Sequence, residues 1–286
     1  MTTSSCQAPG THILAETTRD RGLALYAMML RLRRFEEKAG MLYAMGTLAT
    51  PCPLGIGQEG AVAALVEGLS SNDIVLVLEA RPAVELALGA PAKTVFQRLA
   101  SSQPANDQGP LALLREPCSS PRLLPREDAL NTASAVQGEP LIVVAPDPTA
   151  STAIDRLANG ALTVFIVPSD SKPEVWPRSL SSRVRECDGA DVEAVAAAIA
   201  AARGDHSAGH RPLAVAILTP PYIGHSRDPG HRQPTRRNLP PDPLALHRRR
   251  LVGSGRLTEA DAVAVETAVR DEIAAAARSM FMACAP

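Results

Sequence analysis

Apolar residues at Leu23, Tyr26, Leu30 and Phe35 recur at helical spacing and predict an amphipathic helix from Asp20 onward. Glu36, Glu37 and Lys38 are expected on its wet face, with Gly40 as its stop. A second short helix is expected over 41–45, then an extended segment over 50–54 punctuated by Pro51 and Pro53. Ile56-Gly57-Gln58-Glu59 opens a further helix that runs through Ala61, Ala64 and Leu65 to Gly68.

The pattern then changes. An all-apolar run over 74–78, too short for a helix, predicts a strand buried in a parallel sheet. Pro82 suits the first turn of a helix reaching Gly89, and another is expected over 91–99. Residues 101–140 carry six prolines and no sustained period, and read as a long irregular excursion. Beyond it, strands are expected at 141–145, 162–167 and 213–218, with an edge strand at 183–187. Helices are expected over 150–158 and over 191–203, the latter capped by Asp191. A Pro-, Arg- and His-rich loop fills 219–243, and helices close the chain over 244–286, the last starting at Thr258 with Val263, Glu266, Val269 and Ile273 in register. Strand–helix alternation of this kind predicts an α/β fold, a mostly parallel sheet with helices on both faces and a C-terminal helical extension. The division expected is a loose polar tail at 1–18 and one domain over 19–286.

Composition narrows the function classes. The sequence is 45% hydrophobic but only 3% aromatic, so Ala, Val and Leu must build the core. A net charge of -1 gives no global reason to expect nucleic-acid binding. Five cysteines without a C-x-x-C pair argue against a disulfide framework and a zinc site. No signal peptide and no run of about 18 apolar residues is evident, so neither a membrane span nor export is expected and the location expected is cytoplasmic.

The order RRFEEKAGMLYAMG, then C-x-L-x-IGQEG, resembles the α subunit of the E1 component of 2-oxo acid (pyruvate) dehydrogenase complexes. RVRECDGADVEAVAAAIAAA, TPPYIGHSRDPG and the 242–281 region resemble later parts of the same family. The resemblance implies a thiamine-diphosphate-binding-type fold, a thiamine diphosphate–Mg²⁺ cofactor, an E1 β subunit as partner and self-association of the α2β2 type. Docking to the acyltransferase core of a complex is a further implied contact.

Between these segments the family's cofactor chemistry thins. Where it has G-D-G after a strand, this chain has Pro146-Asp147-Pro148, and proline offers a phosphate no N–H. Asp147 falls at the family's metal aspartate, and Asp170 falls where its second metal-binding Asn stands. Carboxylates ending two adjacent strands suit a hard cation, so Asp147 and Asp170 are the candidate Mg²⁺ and cofactor-binding residues; as ordinary loop acids they would do neither. The family's Y-R-x-H-G reads Glu79-Ala80-Arg81-Pro82-Ala83, and its H-x-Y reads Pro53-Leu54-Gly55. Arg81 is then either a displaced phosphate ligand or a solvated helix-start arginine. His225, in the loop that covers the active-site mouth in the family, is the remaining candidate catalytic residue, with a hydrogen bond within its loop as the alternative. Arg232, Arg236, Arg237 and Arg248 to Arg250 read as a solvated surface or as a docking patch for an acidic partner.

Three functions follow from different classes. One is a working E1 α subunit decarboxylating pyruvate or a related 2-oxo acid with its β partner. Another is a cofactor-free structural or regulatory paralogue that pairs with a β subunit. The third is a binding module that kept only the scaffold. Intact packing segments beside eroded chemical ones favour the paralogue.

Overall fold

The computed structural model describes residues 21–48, 54–101, 111–117, 119–135, 141–145, 151–157, 160–169, 172–180, 183–210, 213–220 and 241–282. Its helices in chain order are α1 (Arg21–Ala44), α2 (Glu59–Glu67), α3 (Pro82–Ala87), α4 (Ala92–Ala100), α5 (Arg126–Ala135), α6 (Ser151–Leu157), α7 (Val192–Ser207), α8 (Pro243–Gly253) and α9 (Glu259–Met282). Its strands are β1 (Ile74–Val77), β2 (Leu111–Arg115), β3 (Arg122–Pro125), β4 (Leu141–Ala145), β5 (Ala161–Pro168), β6 (Val184–Asp188) and β7 (Leu213–Thr219).

They form one sheet in the order β3-β2-β1-β4-β5-β7-β6. β1, β4, β5, β7 and β6 run parallel, and β2 and β3 add antiparallel at the β1 edge. The expected α/β fold is therefore observed. Strand residues alternate between two cores with the strict period of two that a sheet buried on both faces requires. Val75, Val77, Ile142, Val144, Val164, Ile166, Val215 and Ile217 face the larger core, under α1 to α4, α7 and α9. Leu76, Val143, Phe165, Val167 and Ala216 face a smaller one, covered by α5 and α6. A third cluster of Tyr26, Leu30, Leu251, Leu257, Ala262 and Val269 joins α1 to α8 and α9.

Three expectations are corrected. Gly40 does not stop the first helix, which continues through 41–44. A side chain there would put its Cβ 3.2 Å from Leu54, so the glycine serves the close approach of Leu54 to the helix. Termination falls to Gly46, at φ 72, with its N–H on the Tyr43 carbonyl. The 101–140 stretch is not irregular throughout. Its described residues form the β2–β3 hairpin and α5, anchored by the pairing of Leu113 to Arg115 with β1, a non-local contact that no local period reveals. Glu36 is not on the wet face of α1; it is 2% exposed. It lies one helical turn beyond Leu32, on the stripe that also holds Met29 and Ala39.

Candidate functional site

The carboxyl end of the sheet positions the candidate site. From β1 the chain moves outward to β2 and β3, whereas from β4 it moves to β5 on the other side, so the connections diverge between β1 and β4. Ligand crevices in open α/β sheets form outside the carboxyl ends of strands at such a divergence. Asp147 and Asp170 each follow, by two positions, the last residue of a strand, and those strands, β4 and β5, are parallel neighbours. His225 follows β7 by six positions. All three residues, and Pro146 and Pro148 with them, lie outside the described residues.

Among the described residues, a polar cluster lies between α1, the Gly55–Gln58 turn and the start of α3, reaching the end of β7 through Thr219. Glu59 is 1% exposed and ionically paired with Arg33, whose Nε stands 2.5 Å from its Oε1. The Gly57 N–H donates to both Glu59 oxygens, at 3.1 and 3.0 Å. Gly57 sits at φ 96, and that positive φ turns its N–H back onto the helix it precedes. The guanidinium of Arg33 also forks onto Asp242, at 3.2 and 2.9 Å. Burial opposes the charge of Arg33, but the hydrogen bonds of Glu59 and Asp242 outweigh it and hold the group above its ordinary pKa.

Glu36 accepts a 2.7 Å hydrogen bond from the Gly55 N–H through Oε1, while Oε2 is buried without a hydrogen-bond partner. Burial first, then the neighbouring Glu59 carboxylate, pushes its pKa up to about 8; the Gly55 N–H, Arg81 and Arg33 oppose the rise. Arg81 Nη1 donates to Gln58 Oε1 at 3.0 Å, and Gln58 Nε2 donates to Thr219 Oγ1 at 3.3 Å, tying the turn to the end of β7. Arg81 Nη2 stands 3.5 Å from Glu79, and the side chain is only 18% exposed. Arg81 is thus not a solvated helix start; it is held in the cluster by Gln58 and Glu79. None of Glu36, Gln58 or Glu59 was singled out from sequence as a site residue. The i+4 spacing of Leu32 and Glu36 was the available signal.

Arg248 and Arg250 are likewise spoken for. Arg248 pairs with Glu259, and Arg250 pairs with both oxygens of Asp191, the residue that also caps α7 as expected. Asp191 is held below the usual carboxylate range chiefly by the Arg250 hydrogen bond. Both guanidiniums are thus paired within the chain; Arg249 is exposed, and Arg232, Arg236 and Arg237 lie outside the described residues.

No protein-family model matches the chain. Over 86 residues, 30% of this chain, it is 40% identical to the pyruvate dehydrogenase E1 component subunit alpha of Rhizobium meliloti. The chain is similar to E1 α subunits. A subunit of the same description from Zymomonas mobilis is 38% identical over 82 residues, and one from Rickettsia conorii 46% identical over 48. These matches take in 25%, 23% and 15% of the relatives' own lengths, so the chain aligns with a quarter of them or less. No helix of the described residues is long and apolar enough to cross a membrane, and no cluster of three or more His, Cys, Asp or Glu among them could hold a metal ion.

The E1-α-like pattern implies thiamine diphosphate as cofactor. A diphosphate needs several N–H donors and a cation converging on it. Among the described residues here, Arg81 Nη1 and Nη2 face Gln58 and Glu79, Arg126 Nε donates to the Leu78 carbonyl (3.0 Å), and the Leu78 N–H donates to Val144 O (2.9 Å). Behind them stand the carboxyl groups of Glu36 and Glu59. Pro146, Asp147, Pro148 and Asp170, the positions at which the family pattern puts the diphosphate and its cation, lie outside the described residues.

Proposed function

We propose that this chain is an E1-α-like subunit that has given up its own cofactor chemistry and acts as a structural or regulatory partner of a β-type subunit. The observation that carries the reading is Arg81. Where the family pattern calls for a guanidinium clamp and a histidine after the first strand, the chain offers Ala80 and an arginine committed to Gln58 and Glu79. Pro146 and Pro148 support it from sequence, since neither has an amide hydrogen for a phosphate. The partners proposed are an E1 β subunit, a second copy of this chain in an α2β2-type assembly, and the acyltransferase core of a complex. What remains of the family's site would be Asp147 and Asp170 toward Mg²⁺ and His225 in the loop after β7.

The test is co-purification with a β-type subunit, followed by calorimetric titration of thiamine diphosphate and Mg²⁺ into the chain alone and into the complex. The expected result is a stable complex, no heat of binding to the chain alone, and no 2-oxo acid decarboxylation. Decarboxylation by the complex, abolished by Asp147→Ala, would establish a working α subunit instead. Failure to associate with any β-type subunit would remove the partner reading.

A further inference from the structure

Behind the carboxyl end of β1 lies a small, partly enclosed cavity lined by Glu36, Gly55, Gln58, Glu59 and Arg81, with apolar residues of α1, α2 and α3 around them. Its open space for a water centre is about 10 Å³, the size of a single water site. Two of its polar atoms, Glu36 Oε2 and Arg81 Nε, are buried and have no protein hydrogen-bond partner. A buried polar group left unpaired is costly, and an unpaired buried charge far more so. Glu36 and Arg81, the residues that carry these two orphans, both line this small space.

We propose that this cavity binds one water molecule and one proton: Glu36 is kept there as the neutral acid, and its Oε2 hydroxyl shares the buried water with Arg81 Nε. The assignment accounts for each atom. Glu36 Oε1 already accepts from the Gly55 N–H, so the proton belongs on Oε2, which then donates to the water. Arg81 Nε–H donates to the water's second lone pair. The water's two hydrogens are left for acceptors in the lining, the Glu59 carboxylate and Gln58 Oε1, which gives it the two to four partners that buried waters have.

Every charged group facing the site enters the balance. Glu59 and Gln58 approach from the turn and α2, Arg33 from α1, Arg81 and Glu79 from the end of β1, and Thr219 from β7 through Gln58. Glu59 is already satisfied by Arg33 and the Gly57 N–H, and Arg81 divides itself between Gln58 and Glu79. Ionising Glu36 would set a second carboxylate beside Glu59 and draw Arg81 inward from Gln58. The proton therefore guards the Gln58 link between the turn and β7. This does not depend on whether the chain binds a β-type subunit.

A proton held by the folded chain and released by the unfolded one makes stability fall as pH rises, from the ordinary glutamate range up to about 8. The test compares thermal and urea unfolding of the wild type and Glu36→Gln, a neutral isostere, from pH 5 to 9. The expected result is that the wild type loses ground to Glu36→Gln by up to about tenfold per pH unit in its folding equilibrium, levelling off above about 8. A gap between the two that does not change with pH would overturn the proton assignment. Should Glu36→Gln fail to fold, the infrared spectrum of the wild type decides. A protonated-carboxyl band at pH 6.5 that disappears as the pH passes 8 supports the assignment, and its absence at pH 6.5 refutes it. A crystal structure with Glu36 Oε2 directly on Arg81, without an intervening water, would overturn the shared-water site.

Discussion

One carboxylate of Asp242 both pairs with Arg33, 209 residues earlier in the chain, and caps α8 by accepting the Leu244 N–H at 3.0 Å. Burial alone would raise its pKa, but Arg33 together with the Leu244 and Ala245 amides outweighs burial and holds it below the usual carboxylate range. Its share of stability is therefore present above that range and lost on acidification through it. The same arginine neutralises Glu59, so the two ends of the chain meet on a single guanidinium.

Removing that guanidinium should be far more harmful than removing its outer partner. Arg33→Met leaves the carboxylate of Glu59 buried and without its cation, which typically costs about 3–5 kcal/mol. Asp242→Asn keeps an N-cap acceptor and loses only a pair whose acid is 38% exposed, an expected cost of about 1 kcal/mol or less. Urea unfolding of both variants checks this. Equal costs would mean that Glu59 is not the partner that matters.

A second titration should run opposite to that of Glu36. His247 is buried on α8, with Nε2 2.9 Å from the Gly22 carbonyl, so Nε2 carries the proton and donates. Burial, helped by Arg250 and Arg256, lowers its pKa against the pull of Gly22 and Glu193. A histidine that resists protonation when folded loses stability as pH falls through its unfolded value, about 6.5. His247→Gln retains an N–H donor and cannot titrate. The wild type should lose melting temperature from pH 7.5 to 5.5 relative to this variant; parallel profiles would refute the assignment.

Gly189 should not tolerate even a methyl group. A Cβ there would lie 2.8 Å from the Leu218 carbonyl oxygen and 2.8 Å from Thr219 Cγ2, because the Gly189 N–H is bonded to that carbonyl at 2.7 Å. Gly189→Ala must push β6 away from the end of β7, with an overpacking cost of about 1–3 kcal/mol. Thr219 is also the partner of Gln58, so the strain reaches the polar cluster. Wild-type stability in this variant would show that β6 can move freely.

The parts legible in the sequence are those whose cause is local. The short apolar runs at 141–145 and 162–167, the Asp191 cap and the start at Pro82 all appear within a residue or two of the expected place. The β2–β3 hairpin was not legible, because its strands are fixed by pairing with β1 rather than by their own pattern. Charge in the sequence points Glu36, and Arg81 as a helix start, toward solvent, and the structure buries both side chains for the most part. What buries them is a cluster assembled from positions 33, 36, 58, 59, 81 and 219, which no local window contains. The candidates Asp147, Asp170 and His225 came from family pattern alone and lie outside the described residues.

Glycines restored after β4 should not by themselves bring back the cofactor. If the chain has lost the diphosphate contacts, Pro146→Gly with Pro148→Gly should restore amide donors after β4 and still fail to give thiamine diphosphate–Mg²⁺ binding. Ala80 remains, and it packs against the larger core, so no guanidinium is supplied from that position. Arg81 remains tied to Gln58 and Glu79. Each missing charge-assisted contact is worth about 1.5–3 kcal/mol, and three together about 5 kcal/mol, or several thousandfold in affinity even if they add imperfectly. Adding Ala80→Arg to the glycine pair should bring the first measurable affinity, provided the new side chain turns out of the core. Calorimetry on the three proteins distinguishes the cases. Micromolar binding by the unaltered chain would show that Pro146 and Pro148 do not block the phosphates, and tight binding by the glycine pair alone would show that the arginine at 80 is not needed.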